Sequence, residues 1–191
     1  FTPTTSFWLP FIGDLDIGIF YYPLMLFIIV GTVNAVNLTD GIDGLDASVT
    51  MVAAMGFMVI ASIAGFSQMN LLAAALAGGC LGFLVWNFHP AKVFMGDTGS
   101  LALGMALGCL AVVTKTEFVV IIIGGLFVAE ALSVMIQVFY YKKTKKRIFL
   151  MAPLHHHLEL SGWSEDKLVG VFSAITLVCC LVAYLGIQGR Y

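Results

Sequence analysis

The sequence predicts an all-α, polytopic integral membrane protein with about six transmembrane helices. Two observations carry this. Of 191 residues, 60% are apolar and only 10% are Asp, Glu, Lys or Arg, with a mean hydropathy of +1.01. A soluble domain of this size must wet its surface and holds about 25% charged residues, so that class is excluded. Disorder is excluded too, because it needs low hydrophobicity and high net charge. The second observation is spacing. Apolar residues gather near 18–36, 46–66, 70–89, 99–114, 118–141 and 168–187, each close to the roughly 20 residues that cross a hydrocarbon core. No alternating pattern of barrel strands is present, which leaves helices as the spanning element.

The whole of 1–191 reads as one transmembrane domain, with loops near 37–45, 90–98 and 142–167. Orientation follows the distribution of Lys and Arg. One side holds Lys92, Lys142, Lys143, Lys145, Lys146, Arg147 and Lys167; the other holds Lys115 and Arg190. The Lys-rich side is therefore expected to be cytoplasmic, with 1–17 outside. Phe20, Tyr21, Tyr22, Trp86, Phe88, Phe139, Tyr140 and Tyr141 fall near span ends, as an interfacial aromatic belt would. Gly78-Gly79 and Gly124-Gly125 suit close helix packing in lipid. Cys80, Cys109, Cys179 and Cys180 lie in apolar stretches without metal-ligand spacing and read as packing residues. Position 1 is Phe and no charged segment precedes an apolar one, so no signal peptide is expected, and the chain reads as a fragment. The net charge of −2 gives no argument for nucleic acid.

The first Lys-side loop repeats Asn34, Asn37, Asp40, Asp43 and Asp46 at every third position. Neighbours in such a series share a helix face, and Gly41 and Gly44 permit close approach of backbone to a ligand. Three crowded carboxylates repel one another unless water, a cation or a donor-rich ligand sits among them. A plain solvated acidic loop is the alternative. In the second loop, Asn87, Phe94 and Asp97 precede the fourth span. Asp97 suits Mg²⁺, which takes one or two carboxylates plus phosphate oxygens; it could equally cap the helix. The third loop opens on Lys142 to Arg147, a topology determinant beside anionic headgroups. It continues through Pro153 to His155-His156-His157 and Glu159. Adjacent histidines lie about 100° apart on a helix and cannot share one metal, so donors to phosphate or sugar are the expected role. Glu130, inside the fifth span, has no evident partner; function and structure are equally open to it. Three acidic or histidine-bearing loops on one membrane face suit phosphoryl transfer, where positioning and charge neutralisation do most of the catalysis.

The segments from Asn37 through Asp40, Gly41 and Asp43, from Phe94 through Asp97 to Ser100, and from Met151 through the histidines to Glu159 resemble, in that order, the polyprenyl-phosphate N-acetylhexosamine-1-phosphate transferase family. The third segment, with Gly162-Trp163, looks most like its bacterial phospho-N-acetylmuramoyl-pentapeptide-transferase branch. The resemblance covers essentially the whole chain. It implies a Mg²⁺-dependent homodimer of the bacterial cytoplasmic membrane, its site on the cytoplasmic face, and a target of nucleoside inhibitors. Such an enzyme transfers phospho-MurNAc-pentapeptide from UDP-MurNAc-pentapeptide to undecaprenyl phosphate, giving lipid I and UMP. By the same resemblance Asp97 is the metal ligand, and Asp40, Asp43, Asp97 and His156 serve catalysis. Asn37, Gly41, Asn87, Phe94, His155 and His157 contact substrate, with Phe94 stacking on uracil. The family also carries an adjacent Asp-Asp pair that this chain lacks. Six spans against the family's ten place it at the C-terminal part of the enzyme. A sister enzyme using UDP-GlcNAc would share the Asp loops. An ion-coupled transporter would place its polar groups near the bilayer midplane instead. A non-catalytic membrane scaffold would survive loss of Asp97.

Overall fold

The computed structural model describes residues 5–9 and 13–188. Arg190 and part of the 1–17 segment lie outside them. The chain opens on an antiparallel hairpin, β1 Ser6–Leu9 and β2 Gly13–Asp16, with Ser6 opposite Asp16. The rest is helical: α1 Tyr21–Thr39, α2 Leu45–Ile63, α3 Ser67–Asn87, α4 Gly96–Val113, α5 Glu117–Ile123, α6 Gly125–Thr144, α7 Leu154–Leu160 and α8 Glu165–Ile187. The all-α membrane architecture expected from composition is present. Among the described residues five helices are long and apolar enough to span a bilayer, and α5 with α6 makes a sixth span if the bent pair counts as one.

That bend corrects the fifth predicted span. The apolar run 118–141 is not straight: α5 and α6 meet at 80°. Gly124 stands at the break between them, and its N–H bonds back to Val120 O at 2.8 Å. Paired glycines are the ordinary cause of such a kink. Hydropathy cannot see it, because both halves are apolar. The loop 142–167 likewise contains a helix, α7, that carries the histidines.

α2 is the central helix and packs on α3 and α8, while α1 packs on α4 and α6. Phe57, Leu45, Ile60, Leu107, Leu110, Ile123, Leu168 and Ile187 are fully buried between them. Leu71, Leu81 and Val85 on α3, and Leu177, Val178 and Leu185 on α8, point outward, as lipid-facing side chains do. Small residues set the close contacts, and the expected ones only in part: a Cβ at Gly125 would meet Cys179 Sγ at 3.2 Å. Gly78 and Gly79 face open space, whereas a Cβ at Gly104 would meet the α1 backbone and one at Gly56 would meet Cys180 Sγ. All four cysteines are free, and Cys80 and Cys180 are buried.

The turns between spans aim the polar residues. Gly44, at φ +73°, lets the chain reverse from α1 into α2. Asn87 at the end of α3 braces that turn: its Oδ1 accepts from Gly44 N at 3.2 Å and its Nδ2 donates to Val93 O at 2.9 Å. Ser164 caps α8, accepting from Lys167 N, and Glu165 and Asp166 occupy the first turn, where carboxylates suit the helix dipole. At the opposite end of the bundle Tyr21 donates to Glu117 and accepts from Lys115, each at 2.7 Å.

Candidate active site

Three chain segments converge at the Lys-rich end of the bundle. The first contact joins α1 to α4. Asn37 Nδ2 donates to Asp97 Oδ1 at 3.1 Å and to Ser100 Oγ at 2.9 Å. Asp97 lies in the first turn of α4 but provides no cap; Met95 is the capping residue, with no side-chain bond. The carboxylate is instead exposed and held by Asn37. Asp40, at the end of α1, is half-buried. Burial pushes its carboxyl up to about 6, and the negative charge of Asp97 adds to the rise.

The second contact brings in the histidine segment. A Cβ on Gly41 would collide with the His155 ring at Nε2, so only glycine fits beneath that imidazole. His155 is completely buried, and neither ring nitrogen makes a hydrogen bond. α7 is drawn into the bundle by α6. Glu130 Oε2 accepts from Leu154 N at 2.6 Å and Oε1 from His155 N at 3.2 Å. Gln137 Oε1 accepts from Ile148 N and Phe149 N, and its Nε2 donates to Phe149 O.

The third contact is a cluster of Asp43, His89 and Glu165. His89 Nδ1 lies 3.2 Å from Asp43 Oδ2 and 3.5 Å from Glu165 Oε2. Asp43 Oδ2 also accepts from Ala91 N, and Glu165 Oε2 from Asp43 N. This staples the α1–α2 turn to the α3–α4 loop and to the start of α8.

The expected site residues thus separate into groups. Asn37, Asp40, Gly41, Asp97 and His155 come together. Asp43 faces His89 and Glu165 instead. Asn87 is buried, with its amide taken up by backbone. Phe94 is exposed on the loop before Asp97. His156 Nδ1 pairs with Glu159 Oε2 at 2.9 Å, and His157 Nδ1 accepts from Leu150 N at 3.2 Å. Sequence reasoning did not single out Gln137, Ser100, His89 or Glu165 as site residues, and it left Glu130 unassigned. The signal for Glu130 was an acidic residue inside an apolar span; its partners are backbone amides, which no side-chain pattern announces.

A divalent cation would find hard oxygen donors at Asp40 and Asp97, two carboxylates near enough for the charge of one to act on the other, and such oxygens are the donors Mg²⁺ takes. The Asp43, His89 and Glu165 ligand atoms also lie within 4.8 Å of one another, yet two of those oxygens are already engaged by backbone N–H groups. The first pair is the better fit to Mg²⁺.

Fold and site together define a multi-pass membrane protein with an acidic, histidine-flanked polar centre at one end of its helices. Comparison with known proteins places it more narrowly. The pattern of glycosyl transferase family 4 matches residues 2–115, and the chain belongs to that family. Curated relatives named phospho-N-acetylmuramoyl-pentapeptide-transferase are similar over nearly the whole chain. The protein of Desulforamulus reducens is 51% identical over 96% of this chain and 56% of its own length. That of Desulfitobacterium hafniense is 53% identical over 92% and 56%, and that of Clostridioides difficile 52% over 91% and 54%. The chain spans about half the length of the curated relatives it matches.

Proposed function

We propose that the chain is part of a Mg²⁺-dependent phosphoglycosyl transferase of the bacterial cytoplasmic membrane. It moves phospho-MurNAc-pentapeptide from UDP-MurNAc-pentapeptide to undecaprenyl phosphate, yielding lipid I and UMP at the cytoplasmic face. The observation that carries this is the meeting of Asp97, Asn37, Asp40 and the Gly41–His155 contact at the Lys-rich membrane end, in a chain about half identical to enzymes named for this transfer.

In the transfer, a lipid phosphate oxygen forms a bond to the phosphorus that carries the sugar. The bridging P–O bond of the diphosphate breaks, and UMP leaves with its electron pair. Asp97 and Asp40 would hold Mg²⁺, which neutralises diphosphate charge when bound. Asn37 fixes one Asp97 oxygen and leaves the other toward solvent. His156, a quarter exposed and paired with Glu159, would donate to phosphate. Phe94 offers an exposed ring for the uracil base, and the basic run Lys142 to Arg147 lies where lipid headgroups sit. In this reading the remaining machinery is carried by sequence outside this chain, and the enzyme is a homodimer.

The test is Mg²⁺-dependent UMP release by the full-length enzyme in detergent, with undecaprenyl phosphate as acceptor. Release with the muramoyl donor and none with UDP-GlcNAc is expected, and Asp97→Asn should abolish it. Release with UDP-GlcNAc alone would replace the reading by that of the sister enzyme. Unchanged turnover in Asp97→Asn would remove the metal assignment.

A further inference from the structure

The transfer proposed above makes no use of Glu130, yet Glu130 is fully buried in the second turn of α6. A buried carboxylate is costly unless hydrogen-bonded. Both of its oxygens accept backbone N–H groups at the start of α7, from Leu154 and His155. Those N–H groups have no partner inside α7. The capping residue is Pro153, and no side chain of α7 caps the helix itself. Gln137 lies seven residues on, two turns along the same face of α6, and binds the backbone of Ile148 and Phe149. The returning segment is therefore docked on α6 through its backbone, at two rungs.

The His155 ring adds a second constraint. Its Nδ1 lies 3.4 Å from Glu130 Oε2, and its Nε2 rests against Gly41. A neutral imidazole carries one N–H, and a carboxylate oxygen accepts. With the proton on Nδ1, the N–H stands beside the negative charge of the Glu130 carboxylate, 3.4 Å away and without hydrogen-bond geometry. With the proton on Nε2, the N–H would face the Gly41 Cα instead, away from that charge.

We propose that Glu130 is a positioning residue: it anchors α7 in the bundle and holds His155 as its Nδ1–H tautomer, wedged beneath the Asp40–Gly41 turn. The effect on the reaction is indirect and runs from α6 through the imidazole to the turn that carries Asp40. That consequence rests on the function proposed above; the tautomer does not.

The experiment uses full-length enzyme labelled with ¹⁵N-histidine, with His155→Ala to assign the ring signals. Wild type should show His155 protonated at Nδ1 and bare at Nε2. Glu130→Gln should shift that pattern and lower kcat. Glu130→Asp should recover part of both. Wild-type His155 protonated at Nε2 or at both nitrogens would overturn the proposal. So would a Glu130→Gln protein whose ring pattern is unchanged, whatever its melting temperature or activity; that result would leave Glu130 a purely structural group. If wild type releases no UMP, the functional reading fails, while the ring spectra still decide the tautomer.

Discussion

Gly104→Ala tests how the bundle sets the site. α1 and α4 touch backbone to backbone there: a Cβ at Gly104 lies 2.6 Å from Val33 Cα and 3.2 Å from Thr32 O. Ordinary contact begins at 3.4 Å, so the helices must part by about 0.8 Å (3.4 less 2.6), and no flexible side chain can give way. One turn along each helix toward the polar end stand Ser100 and Asn37. Their neighbour Asp97 sits 3.1 Å from Asn37 Nδ2, and the same parting takes that bond to about 3.9 Å, past hydrogen-bond reach. Two effects oppose each other. Alanine favours the helix by up to ~1 kcal/mol. Overpacking costs ~1–3 kcal/mol, and each lost hydrogen bond about 1 kcal/mol more. The cost wins, by about 1–3 kcal/mol net. Gly79→Ala is the control: its Cβ meets nothing within 4 Å, so only the helix gain applies. The assay is thermal melting in detergent, together with Mn²⁺ affinity followed by electron paramagnetic resonance. Gly104→Ala should melt below wild type and bind Mn²⁺ more weakly, and Gly79→Ala should do neither. A Gly104→Ala protein that melts and binds like the Gly79 variant would refute the α1–α4 geometry.

Further outcomes are expected at Gly41 and Asp40. Gly41→Ala should displace the His155 ring and sharply reduce UMP release while circular dichroism stays helical; full activity would show that the imidazole does not rest on that glycine. Asp40 gives a pH dependence. Its carboxyl is raised by burial from 3.8 to about 6, so the folded state holds this proton more tightly than the unfolded chain. Asp40 therefore adds stability at low pH and costs stability as pH rises from 3.8 through about 6. Cation binding runs the opposite way, because a ligand must be deprotonated. Mn²⁺ affinity should fall as pH drops below about 6, and Asp97→Asn should move Asp40's own titration, read by carboxyl NMR or infrared difference, downward. An Mn²⁺ affinity that is flat across that interval would remove Asp40 from the metal pair.

The membrane class and the meeting of the three polar loops at one end of the bundle follow from the sequence by itself. Each depends on composition over about 20 residues, and the bilayer enforces it segment by segment. The acidic turn at Asp40, the carboxylate at Asp97 and the three histidines were legible for a related reason: polar groups in an otherwise apolar chain stand out. The tertiary structure decided what those groups face. The Gly124 break is invisible to hydropathy because apolar residues continue across it. The close glycine contacts fall at Gly104 and Gly56 rather than at the conspicuous Gly78-Gly79 pair, because packing depends on which face a residue turns toward its neighbour. Glu130 and Gln137 hold the histidine segment through backbone groups, which carry no sequence signature. Asp43, His89 and Glu165 lie 46 and 76 residues apart along the chain, and only the packing of α2 against α3 and α8 brings them within reach.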